Sequence, residues 1–300
     1  MTTISMLAVS DNKSACGKPA TGARQRLRRA LLGWSAGLLL MGAAAAQDYP
    51  NKPITIIVPF PAGGSTDIIA RIIAEPMRAA LGQTVVVQNI TGAGSTLGVG
   101  RALQSAPDGY TLSVGNWTSH VGASAVYPVP WHVVNDLEPI SMLSVTSLII
   151  AGRPGLPIAH GKELTGWLKS TGGKATFATV GAGSGAHICG IYFEQKTSTK
   201  VRYIPYRGGA PAMADLMGDQ VDLFCGEASQ MLPHFKAGRI KPLVVMSKTP
   251  WRPMPEVPTM AQIGVSDTYI PFWQGLWAPK GTPKPIIAKL NDAVNKAFAN

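Results

Sequence analysis

The sequence predicts an α/β protein built from repeated strand–helix units. From residue 54 onward, apolar runs of strand length alternate with segments whose apolar residues recur at helical spacing. The apolar fraction is 46% and the charged fraction 14%, so the chain can bury a core and is not of the disordered class. Its 300 residues allow two ordinary domains, and 33 Gly with 24 Pro indicate many turns.

Residues 1–46 have the features of a secretory signal peptide. Arginines between Arg24 and Arg29 precede an apolar stretch, and a run of alanines ends at Ala46. This order predicts cleavage after Ala46 and export to the periplasm. An uncleaved anchor is the alternative, but the apolar stretch is shorter than the roughly 20 residues that span a bilayer.

The net charge of +11 is partly that of the predicted signal peptide. Without residues 1–46, which hold six Lys/Arg and one Asp, 21 Lys/Arg and 15 Asp/Glu leave +6. These basic residues are scattered and form no run with interleaved aromatic residues, so the sequence does not predict nucleic-acid binding. A solvated basic surface mildly favours anionic ligands.

The first half of the chain predicts a βαβαβ unit. Strand patterns occupy Ile54–Val58, 85–87 and 110–114, and helical patterns between them end at Leu81 and Leu103. Gly82 follows the first helix, as is typical of a helix end. Such a unit forms a parallel sheet with right-handed crossovers.

The second half, from near Ile149, continues the alternation. The Pro-rich stretch 249–258 predicts a connector. The predicted strands are 175–179, 201–205, 221–224, 240–246 and 273–278, and the predicted helices are 164–169, a helix ending at Phe193, 210–217 and 285–298.

Three glycine turns, 61–65, 92–95 and 181–184, lie between a predicted strand and a predicted helix. Such a turn leaves the first N–H groups of the helix unpaired at the positive end of its dipole, which suits a carboxylate or phosphate. Gly63 and Gly64 would let an anion approach the backbone closely. Because ligands lie beyond the carboxyl ends of parallel strands, the first and third turns could hold a ligand from both sides.

Cofactor, metal and catalytic motifs fit poorly. The glycines of 92–98 have one residue too many for a dinucleotide fingerprint and follow the wrong strand. Ser184 lies one place too late for a nucleophile elbow, and the five His residues lack metal-ligand spacing. The sequence therefore predicts no cofactor, no metal and no catalytic residue.

Several polar residues near these turns are candidate ligand contacts. Asp67 either stabilises the helix dipole or accepts a hydrogen bond from a ligand amine, hydroxyl or bridging water. His187 caps its helix, bonds within an interface or contacts the ligand, and Arg207 pairs a carboxylate or lies on the surface. Asn116 and Thr118 follow the third strand and are candidate polar contacts.

Two positions near strand ends leave alternatives open. Trp117 either forms a pocket wall or belongs to the core. Glu227 would repel an anion unless it were protonated or faced a ligand amine, so it receives no role.

The cysteines that follow the signal peptide are Cys189 and Cys225. An oxidising compartment permits a disulfide between them, but a sequence does not show that they lie within bonding distance. The sequence favours two buried free thiols.

The segment 49–67 resembles the opening of mature Bug-type solute-binding proteins, the extracytoplasmic receptors of tripartite tricarboxylate transporters. The resemblance covers nearly all of 49–300 in the family's order. It continues through 89–98, 136–140, 181–187, 206–222, 255–264 and 275–283.

This resemblance implies a two-lobed, periplasmic-binding-protein-like (type II) fold that closes about a hinge on a small carboxylate. The implied lobes are 49–148 plus 251–300, and 149–250, with backbone donors from 60–65 and 181–184. Together with the candidates above, the predicted ligand-binding residues are Phe60, Pro61, Ala62, Gly63, Gly64, Ser65, Asp67, Asn116, Thr118, Gly181, Gly183, Ser184, His187 and Arg207.

The family resemblance also implies a monomer whose shut form is read by the membrane subunits of a transporter. Di- and tricarboxylates, amino acids and aromatic carboxylates all fit such a site. A sensory subunit would share the binding step, and an exported enzyme would need a convergent acid, base or nucleophile, which the spacing does not suggest. Trp117 stands where the family commonly has a small or polar residue, which leaves the pocket size open. Family members usually continue past Asn300 with a helix and a strand, so we expect either a truncated gene or a less stable product.

Overall fold

The computed structural model describes residues 49–265 and 269–299, so the predicted signal peptide lies outside the described residues. From Pro50 onward the chain forms one unit. Its strands are β1 (Ile54–Val58), β2 (Val85–Asn89), β3 (Thr111–Asn116), β4 (Leu137–Gly152), β5 (Thr176–Thr179), β6 (Arg202–Pro205), β7 (Leu223–Glu227), β8 (Lys241–Val245) and β9 (Pro271–Pro279). Its longer helices are α1 (Ser65–Leu81), α2 (Thr96–Leu103), α3 (Leu164–Ser170), α4 (Gly185–Thr197), α5 (Gly209–Met217), α6 (Ala228–Lys236) and α7 (Lys284–Phe298).

The predicted βαβαβ unit is confirmed. β1 lies between β2 and β3 and pairs parallel with both, with Ile54 opposite Val85 and Thr55 opposite Thr111. The side chains of β1 are buried on both faces, as expected of a parallel strand covered by helices. Gly82 has the left-handed conformation, with a φ of 66°, and its N–H closes the end of α1.

The long strand β4 was not predicted. Its first part pairs antiparallel with β9 up to Ser147, and from Leu148 it pairs with β7 and, from Ile149, with β8. The sheet order is therefore β2-β1-β3-β9-β4-β7-β5-β6, with β8 also on β4. The change of partner falls between Ser147 and Leu148, one residue before the predicted lobe boundary, and the lobe ranges stay a prediction.

Irregular pairing explains why β4 was missed. The register between β4 and β9 shifts between Pro139 and Ser141 and again between Met142 and Ser144. As a result, buried residues in this part recur every third position, at Leu137, Ile140 and Leu143. A strand is recognised by a period of two, and bulges of this kind disrupt it.

The second part of the sheet also follows the predicted alternation. β5 pairs parallel with β6 and β7, and α4 packs on this sheet through Cys189 and Phe193. α6, which contains Pro233, was not predicted. Within residues 49–265 and 269–299, no helix is both long enough and apolar enough to cross a bilayer.

Cys189 and Cys225 form a disulfide, so the expectation of two free thiols was wrong. The bond joins α4 to β7, with the two Cα atoms 6.4 Å apart. Both side chains are fully buried because α4 lies directly on β7. The bridge closes a segment with a sequence separation of 36 residues.

Reduction of this disulfide should lower the free energy of unfolding. In the chain-entropy model, a loop of this length contributes about 4 kcal/mol through restriction of the unfolded chain. Urea unfolding with and without dithiothreitol measures the difference. The double variant Cys189→Ser/Cys225→Ser is the control, since dithiothreitol should leave its unfolding midpoint unchanged. An equal response of variant and wild type to dithiothreitol would contradict the assignment.

Candidate functional site

A cavity of about 60 Å³ lies where the two parts of the sheet meet. At roughly 15 Å³ for each water, it has room for on the order of four water molecules, so it suits a ligand of few atoms. Its lining consists of Phe60, Pro61, Gly64, Ser65, Thr66, Asn116, Thr118, Leu148, Val180, Ala186, Gly209, Phe224, Cys225, Gly226, Glu227, Gln230 and Phe272.

The first glycine turn presents the open start of α1 to this cavity. Gly64 precedes the helix in an extended conformation and provides no side-chain cap. In the part of the chain that the structure describes, the backbone N–H groups of Ser65 and Thr66 meet no acceptor. Since both residues line the cavity, two donors at the positive end of a helix dipole are available to an anion.

Asp67 does not line the cavity, but its carboxylate holds the first glycine turn in place. One of its carboxylate oxygens accepts from the N–H of Gly63 at 2.9 Å and from Arg71 Nε at 3.0 Å, and the other accepts from Asn89 Nδ2 at 2.9 Å. Asn89 Nδ2 also donates to the Phe60 carbonyl at 2.9 Å. Burial alone would raise the pKa of Asp67, but the bonds from Arg71, Gly63 and Asn89 outweigh it and the pKa is lowered.

Asn116 and Thr118 line the cavity and also brace it. Asn116 Nδ2 donates to Thr66 Oγ1 at 3.1 Å, and Asn116 Oδ1 accepts from the Thr118 N–H at 2.9 Å. Thr118 Oγ1 accepts from the N–H of Gly185 at 3.0 Å. Because Gly185 begins α4, this last bond ties the first part of the structure to the third glycine turn, 181–184.

The third glycine turn, 181–184, uses several of its donors internally. The N–H of Gly183 donates to His187 Nδ1 at 3.2 Å, and the N–H of His187 donates to Ser184 Oγ at 3.2 Å. Ser184 N–H donates to the Gly181 carbonyl at 3.3 Å. The ring of His187 packs edge-on against Tyr203, with the ring centroids 5.0 Å apart.

The structure therefore brings together part of the predicted ligand-binding set. Phe60, Pro61, Gly64, Ser65, Asn116 and Thr118 line the cavity. The predicted residues outside the lining are Ala62, Gly63, Asp67, Gly181, Gly183, Ser184, His187 and Arg207.

Glu227, to which the sequence assigned no role, is the charged residue among those that line the cavity. Its side chain is 6% exposed and lies at the end of β7. Its carboxylate accepts from Ser65 Oγ on one oxygen and from Gln274 Nε2, at 2.7 Å, on the other. Burial raises the pKa of Glu227, only partly offset by these two bonds. The position of Glu227 just after a predicted strand was the available signal for a site residue. Its partners, Ser65 and Gln274, come from distant segments, so the sequence did not show its environment.

Close contacts around the cavity hold the two parts of the structure together. A Cβ placed on Gly208 would lie 2.6 Å from Pro61 Cδ, and one on Gly122 would lie 2.2 Å from the Gly183 carbonyl oxygen. Contacts this short leave no room for a side chain. The turns after β1 and β6 are therefore packed directly against each other.

This fold and this cavity define a two-lobed solute-binding protein. Residues 69–300 match the family described as tripartite tricarboxylate transporter family receptor, TctC, and the chain belongs to this family. BugT of Bordetella pertussis is 37% identical over 256 residues, which make up 85% of this chain and 78% of BugT.

Solved structures agree with this assignment. The periplasmic binding protein BugD is 36% identical, with a TM-score of 0.80 over 84% of each chain. MatC from Rhodopseudomonas palustris, solved with bound malate, is 32% identical, with a TM-score of 0.80 over 84% of this chain and 86% of MatC. The expected α/β, two-lobed binding fold is confirmed.

The bonds of Asp67 predict a pH-dependent loss of stability in Asp67→Asn. A carboxyl group whose folded pKa is lowered stabilises the fold above its unfolded pKa, and this contribution disappears as pH falls through the folded pKa. The variant should lose about 2 kcal/mol of unfolding free energy at pH 7. The difference from wild type should shrink below about pH 4.

Urea unfolding between pH 7 and pH 3 measures this difference. Asp292→Asn is the matched control, because Asp292 pairs with Lys296 on the exposed side of α7 and should change stability by less than about 0.5 kcal/mol. A difference between Asp67→Asn and wild type that is independent of pH would argue against the assigned role.

Proposed function

We propose that the protein is an extracytoplasmic receptor that captures a small carboxylate reversibly and presents it to a tripartite tricarboxylate transporter. The observation that carries this proposal is that Ser65 and Thr66, whose backbone N–H groups meet no acceptor among the described residues, both line a small cavity. Family membership and the malate bound to MatC support it.

The energies are sufficient for binding without a positively charged side chain. A charge-assisted hydrogen bond contributes about 1.5–3 kcal/mol, and micromolar affinity needs about 8 kcal/mol. Roughly four to six such bonds meet this need and also offset some free-energy cost of closing the protein on the ligand. The N–H groups of Ser65 and Thr66 supply two, and the hydroxyl group of Thr118 and bridging waters are available for the others.

The lining of the cavity favours binding over catalysis. Cys225 is engaged in the disulfide, and the lining contains no histidine to activate the hydroxyl groups of Ser65 or Thr118. We therefore propose a receptor and not an enzyme. The proposal includes a periplasmic, monomeric protein, cleaved after Ala46, whose shut form is read by transporter membrane subunits.

Gly64→Val tests the first turn. A Cβ at Gly64 has only the Pro61 carbonyl oxygen nearby, at 3.5 Å, so the fold should tolerate the change. The branched side chain would enter the cavity and obstruct the donors of Ser65 and Thr66. We expect at least a 100-fold loss of affinity for the carboxylate that wild type binds most tightly among malate, succinate, adipate and a set of amino acids.

Isothermal titration calorimetry measures these affinities, and thermal unfolding verifies that the variant is folded. Gly166→Val is the matched control, because a Cβ at Gly166 meets no neighbouring atom within 4 Å and the residue lies on the exposed side of α3. A folded Gly64→Val that binds as wild type does would contradict the assigned site. A wild type that binds none of the carboxylates would contradict the proposed function.

Gly208→Ala tests whether the shut form is the one that holds the ligand. Gly208 has an extended backbone that alanine can adopt, so the change acts only through the contact of its Cβ with Pro61. This contact should weaken binding of the same carboxylate about tenfold or more while leaving the unfolding temperature within a few degrees. Gly100→Ala, in α2, is the control, because Gly100 does not line the cavity and a Cβ there meets no neighbouring atom within 4 Å. If the two variants bound the carboxylate with equal affinity, binding would not depend on closure and this prediction would be wrong.

A further inference from the structure

We propose that Glu227 binds an ammonium group of the ligand, and that the ligand is a small α-amino acid with an uncharged side chain. This proposal rests on the proposed carboxylate receptor and narrows its ligand class. It follows from the charge, the spacing and the size of the groups around the cavity.

The charge of Glu227 has no counterpart in the cavity. The partners of its carboxylate, Ser65 Oγ and Gln274 Nε2, are neutral donors, and no Lys, Arg or His belongs to the lining. A buried carboxylate without a cation is costly, and burial accordingly raises the pKa of this group. A ligand ammonium would supply the missing charge.

Gln274 holds the carboxylate of Glu227 in place without lining the cavity. It is 2% exposed, and its Nε2 donates to Glu227 at 2.7 Å. A ligand ammonium in the cavity would therefore bond to Glu227 itself. A hydroxyl group has no charge, so it would leave Glu227 uncompensated.

The spacing of donor and acceptor groups selects the position of the ammonium on the ligand. Ser65 supplies a free backbone N–H for the ligand carboxylate, and the hydroxyl of the same residue contacts Glu227. The anionic and cationic groups of the ligand must therefore lie close together. They do so when both are attached to one carbon atom, as in an α-amino acid.

The rest of the lining restricts the ligand side chain. Phe60, Leu148, Phe224 and Phe272 contribute apolar surface, and the cavity measures about 60 Å³. A second carboxylate on the ligand would meet this apolar surface or the carboxylate of Glu227. A small uncharged side chain fits both the volume and the apolar wall.

Calorimetry on the purified protein tests the proposal. The probes are L-alanine and L-valine, each compared with the analogue in which hydrogen replaces the amino group (propanoate and 3-methylbutanoate) and with its 2-hydroxy analogue. Succinate and malate represent dicarboxylates. Wild type should bind at least one of the two amino acids ten times or more tightly than its analogues.

Glu227→Gln isolates the charge. The variant should lose tenfold or more affinity for the amino acid while its affinity for the deaminated analogue stays the same or rises. Glu227→Asp, which keeps the charge on a shorter side chain, should retain part of the preference. Glu75→Gln, on the exposed side of α1, is the control and should keep the wild-type ratio.

The outcomes separate this proposal from the proposed function. Tighter binding of a dicarboxylate or a hydroxy acid than of both amino acids would overturn the ammonium site and leave the receptor intact. If folded Glu227→Gln lost affinity equally for the amino acid and for its analogue, Glu227 would have only a structural role. That result would also overturn the ammonium site. Absence of binding to any carboxylate would remove both proposals.

Discussion

The site depends on one buried carboxylate, that of Asp67, which holds the turn in front of it. By accepting from Gly63 and Asn89, it fixes the path of the backbone between β1 and α1. That path keeps the N–H groups of Ser65 and Thr66 free of internal partners. An open helix start needs such support, because a loose turn would fold back and satisfy its own donors.

Asp67 and Glu227 show how environment separates two similar groups. Asp67 has a guanidinium and a backbone N–H as partners, so its pKa is lowered and it remains charged. Glu227 lies at the cavity with two neutral partners, and its pKa is raised. The first arrangement stabilises the fold, whereas the second is costly in the free protein. Groups of the second kind occur where a ligand completes the interaction.

The parts that depend on local sequence could be predicted, and those that depend on tertiary partners could not. The first turn and α1 were predicted from the glycines of 61–65 and from the apolar spacing of the residues that follow them. At the third glycine turn, 181–184, donors that were expected to be free are taken: the N–H of Gly183 by the ring of His187, that of His187 by Ser184 and that of Gly185 by Thr118. Likewise, the disulfide requires α4 to lie on β7, and the environment of Glu227 requires β9 and α1 to meet at the end of β7.

The path of β4 has a mechanical consequence. At Ser147 and Leu148 the strand leaves β9 and joins β7 with no loop between. A change of angle between the two parts of the sheet must then be absorbed here as bending and twisting of a hydrogen-bonded ribbon, which is stiff and resists deformation elastically. Inserting a single residue at this point would shift every later side chain of β4 to the opposite face. A change of length here would therefore disrupt the packing of β4 beside β7 and β8.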